Sequence, residues 1–120
     1  MDWRLDGRAP VFVQLCDRLR EEILRVTYPP GGQFPTVRQL AQQAAVNPNT
    51  VQRALAVLEG EGLLYTSGTQ GRFVTNDSAV LLRVKEEIQR KTVQDFLAQA
   101  KALDLSPSDI VRIILEQEER

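Results

Sequence analysis

Phe12, Leu15, Cys16, Leu19, Ile23 and Val26 recur at steps of three and four, with Asp17, Arg18, Arg20, Glu21 and Glu22 between them. On a 3.6-residue period this is one apolar stripe, and it predicts a first helix running to Val26. Tyr28-Pro29-Pro30-Gly31-Gly32 stops it, because proline lacks a donor and glycine frees the backbone. Thr36 can cap a short second helix with Val37, Leu40, Ala41 and Ala44 inward, and Ala45-Val46 separates it from the next start. Asn47 followed by Pro48 is a strong N-terminus: the Asn side chain accepts from a first-turn amide, and proline tolerates the first helical position. The third helix turns Val51, Ala54, Leu55 and Leu58 inward and leaves Asn49, Thr50, Gln52, Arg53 and Ala56 on or near the outer face, until Gly60 and Gly62 end it.

Leu63-Leu64-Tyr65-Thr66 and Arg72-Phe73-Val74-Thr75 are rich in strand formers, and Ser67-Gly68-Thr69-Gln70-Gly71 between them has hairpin length. After Asn76-Asp77-Ser78 a long helical pattern runs through Leu81, Val84, Ile88, Val93, Phe96, Leu97, Ala100 and Leu103. Its phase slips once near Thr92, where a bend is expected. Ser106-Pro107-Ser108-Asp109 reads as a capping box for a fifth helix, whose Ile110, Val111, Ile113, Ile114 and Leu115 make most of its circumference apolar. The order predicts a mainly α (α+β) fold: an N-terminal winged helix-turn-helix over residues 1–77, then a two-helix C-terminal region over 78–120.

The 120 residues allow one compact domain plus a small appendage, and 42% hydrophobic residues permit a real core. No apolar run approaches the roughly 20 residues of a membrane span, so no membrane partner is expected. Met1-Asp2-Trp3-Arg4-Leu5-Asp6 lacks the basic-then-apolar pattern of a signal peptide, and the single cysteine cannot form an intramolecular disulfide. A soluble protein of the reducing cytoplasm is the expectation. Cys16 borders the first apolar stripe and reads as a buried small hydrophobe, with no His and no second Cys to make it a metal ligand or a nucleophile. The same lack of any nucleophile-base pair argues against an enzyme, and no metal or other cofactor is expected.

A formal net charge of −1 speaks weakly against nucleic acid, but its distribution changes the picture. No Asp or Glu occurs between Glu22 and Glu59, a stretch that holds Arg25, Arg38 and Arg53. Residues from Thr66 to Asn76 are again free of acids and carry Arg72. Two helices joined by a tight turn, the second fronted by Asn and Thr and followed by a hairpin, suit double-stranded DNA. The second helix enters the major groove end-on, its first-turn amides and polar side chains reach phosphates and base edges, and the hairpin reaches adjacent backbone or minor groove. Carboxylates would be repelled from all of these surfaces.

Several runs together resemble the GntR regulators, and in particular the small YtrA-type branch. They are Pro10-Val11-Phe12-Val13-Gln14-Leu15, Pro30-Gly31, Phe34-Pro35-Thr36-Val37-Arg38-Gln39-Leu40-Ala41, Val46-Asn47-Pro48-Asn49-Thr50-Val51-Gln52-Arg53-Ala54, Leu58-Glu59-Gly60-Glu61-Gly62-Leu63 and Gly71-Arg72-Phe73-Val74. The resemblance covers Pro10 to Val74 and implies an operator-binding transcription regulator, with a weaker implication of repression. By position it implies DNA contacts at Thr36 and Arg38 for phosphates, at Asn47, Asn49, Thr50, Gln52 and Arg53 on the recognition helix, and at Gln70, Gly71 and Arg72 in the wing. Asn47 also reads as a pure N-cap, and Gln70 and Arg72 as a solvated wing. Four positions depart from the family pattern: Phe34 for Leu, Thr36 for Ser, Gln39 for Glu, and Ala45 for Gly. Only Ala45 carries a conformational consequence, since a left-handed backbone there costs Ala roughly 1 kcal/mol relative to Gly; a slightly different turn is the alternative.

Larger relatives carry an effector domain after the wing, whereas residues 78–120 suffice for two helices. Without His or facing carboxylates they give no support to a small-molecule effector site. Ile110, Val111, Ile113, Ile114 and Leu115 are more apolar surface than one partner helix covers, which predicts a homodimer joined here; packing wholly on the first domain is the alternative. A winged-helix protein-interaction module that does not read DNA sequence is the rival function.

Overall fold

In the computed structural model, which describes residues 5–7 and 9–118, helix α1 (Val11–Leu24) buries Leu15, Cys16, Leu19 and Ile23 on the stripe that its spacing predicts. Residues 1–4, on which much of the reading of the chain start falls, lie outside the described set. The helix stops two residues earlier than the stripe suggests. Val26 takes a left-handed φ of 62° and is exposed, while the Thr27 amide reaches back to the Glu22 carbonyl at 3.0 Å. The Thr27 hydroxyl also donates to the buried Glu22 carboxylate at 2.6 Å. A local turn, and not the prolines that follow, ends α1.

The same device recurs. Helix α2 (Val37–Ala44) ends at Ala45, with φ 53° and ψ 47°, and the Val46 amide donates to the Ala41 carbonyl. Helix α3 (Pro48–Gly60) gives way to Gly62, with φ 83°, and the Leu63 amide donates to the Leu58 carbonyl. A bond from the second or third residue after the helix to the carbonyl five back satisfies a terminal acceptor and needs one left-handed residue between. Only Gly62 adopts that conformation freely. The helix-turn-helix therefore contains the strained Ala45, and the turn keeps its left-handed shape.

Strands β1 (Leu64–Thr66) and β2 (Arg72–Val74) pair antiparallel, Leu64 with Val74, Tyr65 with Phe73 and Thr66 with Arg72. Tyr65 and Phe73 stack on one face at 5.8 Å. The segment before α2 adds a short third edge that the pattern of the chain does not suggest: Gly31 and Phe34 amides donate to the Val74 and Arg72 carbonyls, and the Val74 amide donates to Gly32. α1 and α2 both pack on α3, and β1 follows it. Leu15, Leu19, Leu40, Val51, Leu55, Leu58, Leu63 and Val74 form the fully buried core.

Helix α4 (Ser78–Ala102) starts on Asp77, whose carboxylate accepts from the Ala79 amide at 3.0 Å. It is continuous past Thr92, where the hydroxyl donates to the Ile88 carbonyl four residues back. The chain forms two compact units that divide between Val84 and Lys85, so the first two turns of α4 belong with the winged domain. There Val84 is buried and Arg83 donates to the Glu61 carbonyl.

In the second unit, α5 (Pro107–Glu118) opens with the expected capping box: the Asp109 amide donates to the Ser106 hydroxyl, and the Ser106 amide donates to the Asp109 carboxylate. These bonds hold the Asp109 carboxyl below its ordinary pKa. α5 buries none of its side chains; Val111, Ile114 and Leu115 are exposed, and Ile110 and Ile113 are half-buried. Val93, Phe96 and Leu97 of α4 are exposed too. No described helix is long and apolar enough to cross a membrane.

Candidate nucleic-acid interface

The two helices of the helix-turn-helix begin without an acid in either first turn, so their positive dipole ends are left uncompensated by the chain. At α2, Thr36 and Gln39 form a reciprocal capping box: the Thr36 hydroxyl accepts from the Gln39 amide at 3.1 Å, and the Gln39 side chain accepts from the Thr36 amide at 2.9 Å. Gln39 thus completes the capping box without adding a negative charge. Arg38, one residue inside, is exposed and has no hydrogen-bond or ion-pair partner among the described residues.

At α3, Asn47 is an N-cap, its side-chain oxygen accepting from the Asn49 amide at 2.8 Å. One lone pair of its oxygen is therefore used locally, and what remains for a partner is the second lone pair and the amide NH2. Asn49 and Gln52 are exposed and Thr50 is half-buried, and their side-chain polar groups have no partner among the described residues. Arg53 is placed differently. Its guanidinium lies over the Phe12 ring of α1, 4.3 Å from the centroid, a cation–π contact that fixes a long side chain. The spacing of Phe12 on the inner stripe gives no hint of this use.

The wing is tied to both helices. The Gln33 side chain donates to the Gln70 carbonyl at 2.9 Å, which anchors the wing turn to the segment leading into α2. Gly71 sits at φ 103°, a backbone conformation that favours glycine, while a Cβ there would make only ordinary contact, 3.5 Å, with that Gln33 amide. At the other side, Glu59 in the last turn of α3 accepts from the Thr66 hydroxyl at 2.7 Å and from Arg72 Nε at 2.6 Å. These donors, Thr66 first, hold the Glu59 carboxyl below its ordinary pKa, and it is ionised at neutral pH. Arg20 of α1 makes a two-pronged bond to Glu61, at 2.7 and 2.6 Å, which fixes the same C-terminal end of α3 on α1.

Of the ten candidate DNA contacts, Thr36 and Arg38 stand at the start of α2, and Asn47, Asn49, Thr50, Gln52 and Arg53 on the first turns of α3. Gln70, Gly71 and Arg72 stand in the wing, joined to α2 through Gln33 and to α3 through Glu59. Gln33, Glu59 and Phe12, which hold these residues in place, carry no sequence signal that distinguishes them from ordinary polar or core positions, whereas Gln39, three residues after Thr36, fits the capping-box pattern. Burial raises the Cys16 thiol pKa, in keeping with a core role.

A family model described as "Bacterial regulatory proteins, gntR family" matches residues 13–74. The chain is 30% identical over 111 residues to an uncharacterized HTH-type transcriptional regulator, YhcF, of Bacillus subtilis, covering 92% of each chain. It is 30% identical to the HTH-type transcriptional repressor YtrA of the same organism, over 72% of this chain and 73% of that one. Among solved structures, a GntR family transcriptional regulator from Listeria monocytogenes superposes with a TM-score of 0.85 at 28% identity, covering 93% and 98% of the two chains. The AraR DNA-binding domain in complex with operator ORE1 superposes with a TM-score of 0.54 at 27% identity, over 62% and 94%. The protein belongs to the GntR family of bacterial transcription regulators and is not an enzyme.

Proposed function

We propose that this protein is a sequence-specific repressor that binds a palindromic operator as a homodimer, with α3 in the major groove. The observation that carries the reading is the polar surface at the start of α3, Asn49 and Gln52, without partners among the described residues, together with an Arg38 that no described carboxylate neutralises. Asn and Gln amides can donate to and accept from adenine in the major groove, while a lone arginine suits a phosphate. Thr36, Asn47, Thr50 and Arg53 complete the helix contacts, and Gln70, Gly71 and Arg72 the wing contacts. That the related AraR domain has been captured on its operator supports this mode of binding. Val111, Ile114 and Leu115, exposed within the chain, with the half-buried Ile110 and Ile113, supply the surface that joins two copies.

Selection from random duplex DNA tests the reading: a two-fold symmetric consensus with half-sites about 10 base pairs apart is expected. On that operator, Arg38→Ala should weaken binding to all sequences and flatten the salt dependence by about one charge per half-site. Gln52→Ala or Asn49→Ala should cost about 1–3 kcal/mol at one base position per half-site. Loss of base preference in Arg38→Ala, with uniform weakening in the two α3 variants, would remove α3 from the reading role.

A further inference from the structure

Glu59 ends the acid-free stretch of the chain, and it sits where a helix dipole disfavours a carboxylate, in the last turn of α3. Its Oε1 accepts from both Thr66 Oγ and Arg72 Nε. Both partners of the ion pair are largely covered, with side-chain exposures of 20% for Arg72 and 31% for Glu59. The bond engages Nε alone: neither terminal nitrogen of Arg72 donates a hydrogen bond among the described residues. Arg38 and Arg72 of the proposed interface therefore differ in kind. Arg38 presents an unpaired charge; Arg72 presents a donor edge whose charge is cancelled 2.6 Å away.

Resting on the DNA-binding function proposed above, we infer that Glu59 is a specificity-determining residue, which cancels the charge of Arg72 so that the wing offers oriented hydrogen bonds without non-specific attraction to phosphate. The pair separation is far below the screening length of about 8 Å at physiological salt, so a phosphate beyond van der Waals contact meets a near-neutral group. Non-specific affinity comes from net positive charge and the counterions it displaces, whereas a directed hydrogen bond keeps its worth only where the phosphate or base edge is correctly placed. Glu59 thereby lowers binding to arbitrary sequence more than binding to the operator.

Full-length Glu59→Gln tests this, since the amide oxygen can still accept from Thr66 and Arg72 while the charge is gone. Affinity for a scrambled duplex, measured between 50 and 200 mM salt, should rise at low salt and show a slope steeper by about 0.9 per protomer. For a dimer this is an additional loss of roughly tenfold across that range. The preference for the selected operator over the scrambled duplex should fall accordingly. Glu59→Ala should steepen the slope in the same way, and Glu59→Gln combined with Arg72→Gln should return it to the wild-type value. An unchanged or flatter slope in both single variants, or a steepening that survives the Arg72 substitution, overturns the role of Glu59 while operator preference stands. A wild-type protein that binds both duplexes equally overturns the sequence-reading function itself, and this role with it.

Discussion

Ala45→Gly should stabilise the protein, although it removes a methyl group and adds nothing. Ala45 holds φ 53° and ψ 47° between α2 and α3, where the Val46 amide must reach the Ala41 carbonyl at 3.1 Å. A left-handed backbone costs a non-glycine residue about 1–2 kcal/mol. Glycine avoids that cost but releases about 0.4–1 kcal/mol of extra freedom to the unfolded chain. Ala45 is exposed, so its methyl contributes no packing that offsets the strain. The net gain is about 0.5–1 kcal/mol, which for a unit of this size raises the melting temperature by about 2–8 °C. Thermal unfolding followed by circular dichroism measures it, with Ala45→Val as the opposite control, since a β-branched residue tolerates positive φ worse than Ala. A melting temperature at or below wild type for Ala45→Gly, or an unchanged one for Ala45→Val, would show that the turn stores no strain.

Two further outcomes follow from the packing. A chain ending at Asp77 loses the buried Val84 and the Arg83 bond to Glu61, and should be about 2–3 kcal/mol less stable in urea unfolding than one ending at Lys85; both should sediment as monomers while the full-length protein sediments as a dimer. The Glu59 carboxyl has a pKa depressed below its ordinary 4.5, so the stability it contributes is present above that value and is lost as pH falls through the lower folded-state value. The pair is partly exposed, so Glu59→Gln should melt lower than wild type at pH 7 by an amount equivalent to about 0.5–1 kcal/mol, and the gap should close as the pH falls through the depressed folded-state value; a gap independent of pH would place the effect elsewhere.

The helices were legible wherever burial and periodicity agree. Leu15, Leu19, Val51, Leu55 and Leu58 are fully buried on the stripes that their spacing defines, and the caps at Thr36, Asn47 and Ser106 form with the bonds their side chains can make. Helix ends were less so. Val26 continues the spacing of α1 yet lies beyond its end, because the closing bond from Thr27 to Glu22 is worth more than one further turn with an exposed face. A left-handed valine or alanine leaves no mark in a sequence, whereas Gly62 does. The third edge beside β2 was equally hidden, since Gly31 to Phe34 holds too few residues to show alternation and pairs through its backbone.

The candidate site shows the same division between what composition reports and what only packing reports. Lack of acid over two segments is a property of the chain, and it marked the surface of α2, α3 and the wing. The acids that bound the longer segment acquire their meaning only in three dimensions. Glu22 is buried, accepting from Thr27 and lying 3.3 Å from Arg18. Glu59 is turned onto Arg72 and Thr66. Neither is simply excluded from the interface region: Glu22 pairs with Arg18, its i,i+4 neighbour in α1, and Glu59 with Arg72, which lies beyond the end of its own helix. Sequence spacing therefore shows Arg38 and Arg72 as equivalent cations, whereas their neighbours make one a free charge and the other half of an ion pair. On the role inferred for Glu59, a count of phosphate contacts taken from arginines in the sequence overstates the salt dependence by the charge that Glu59 cancels.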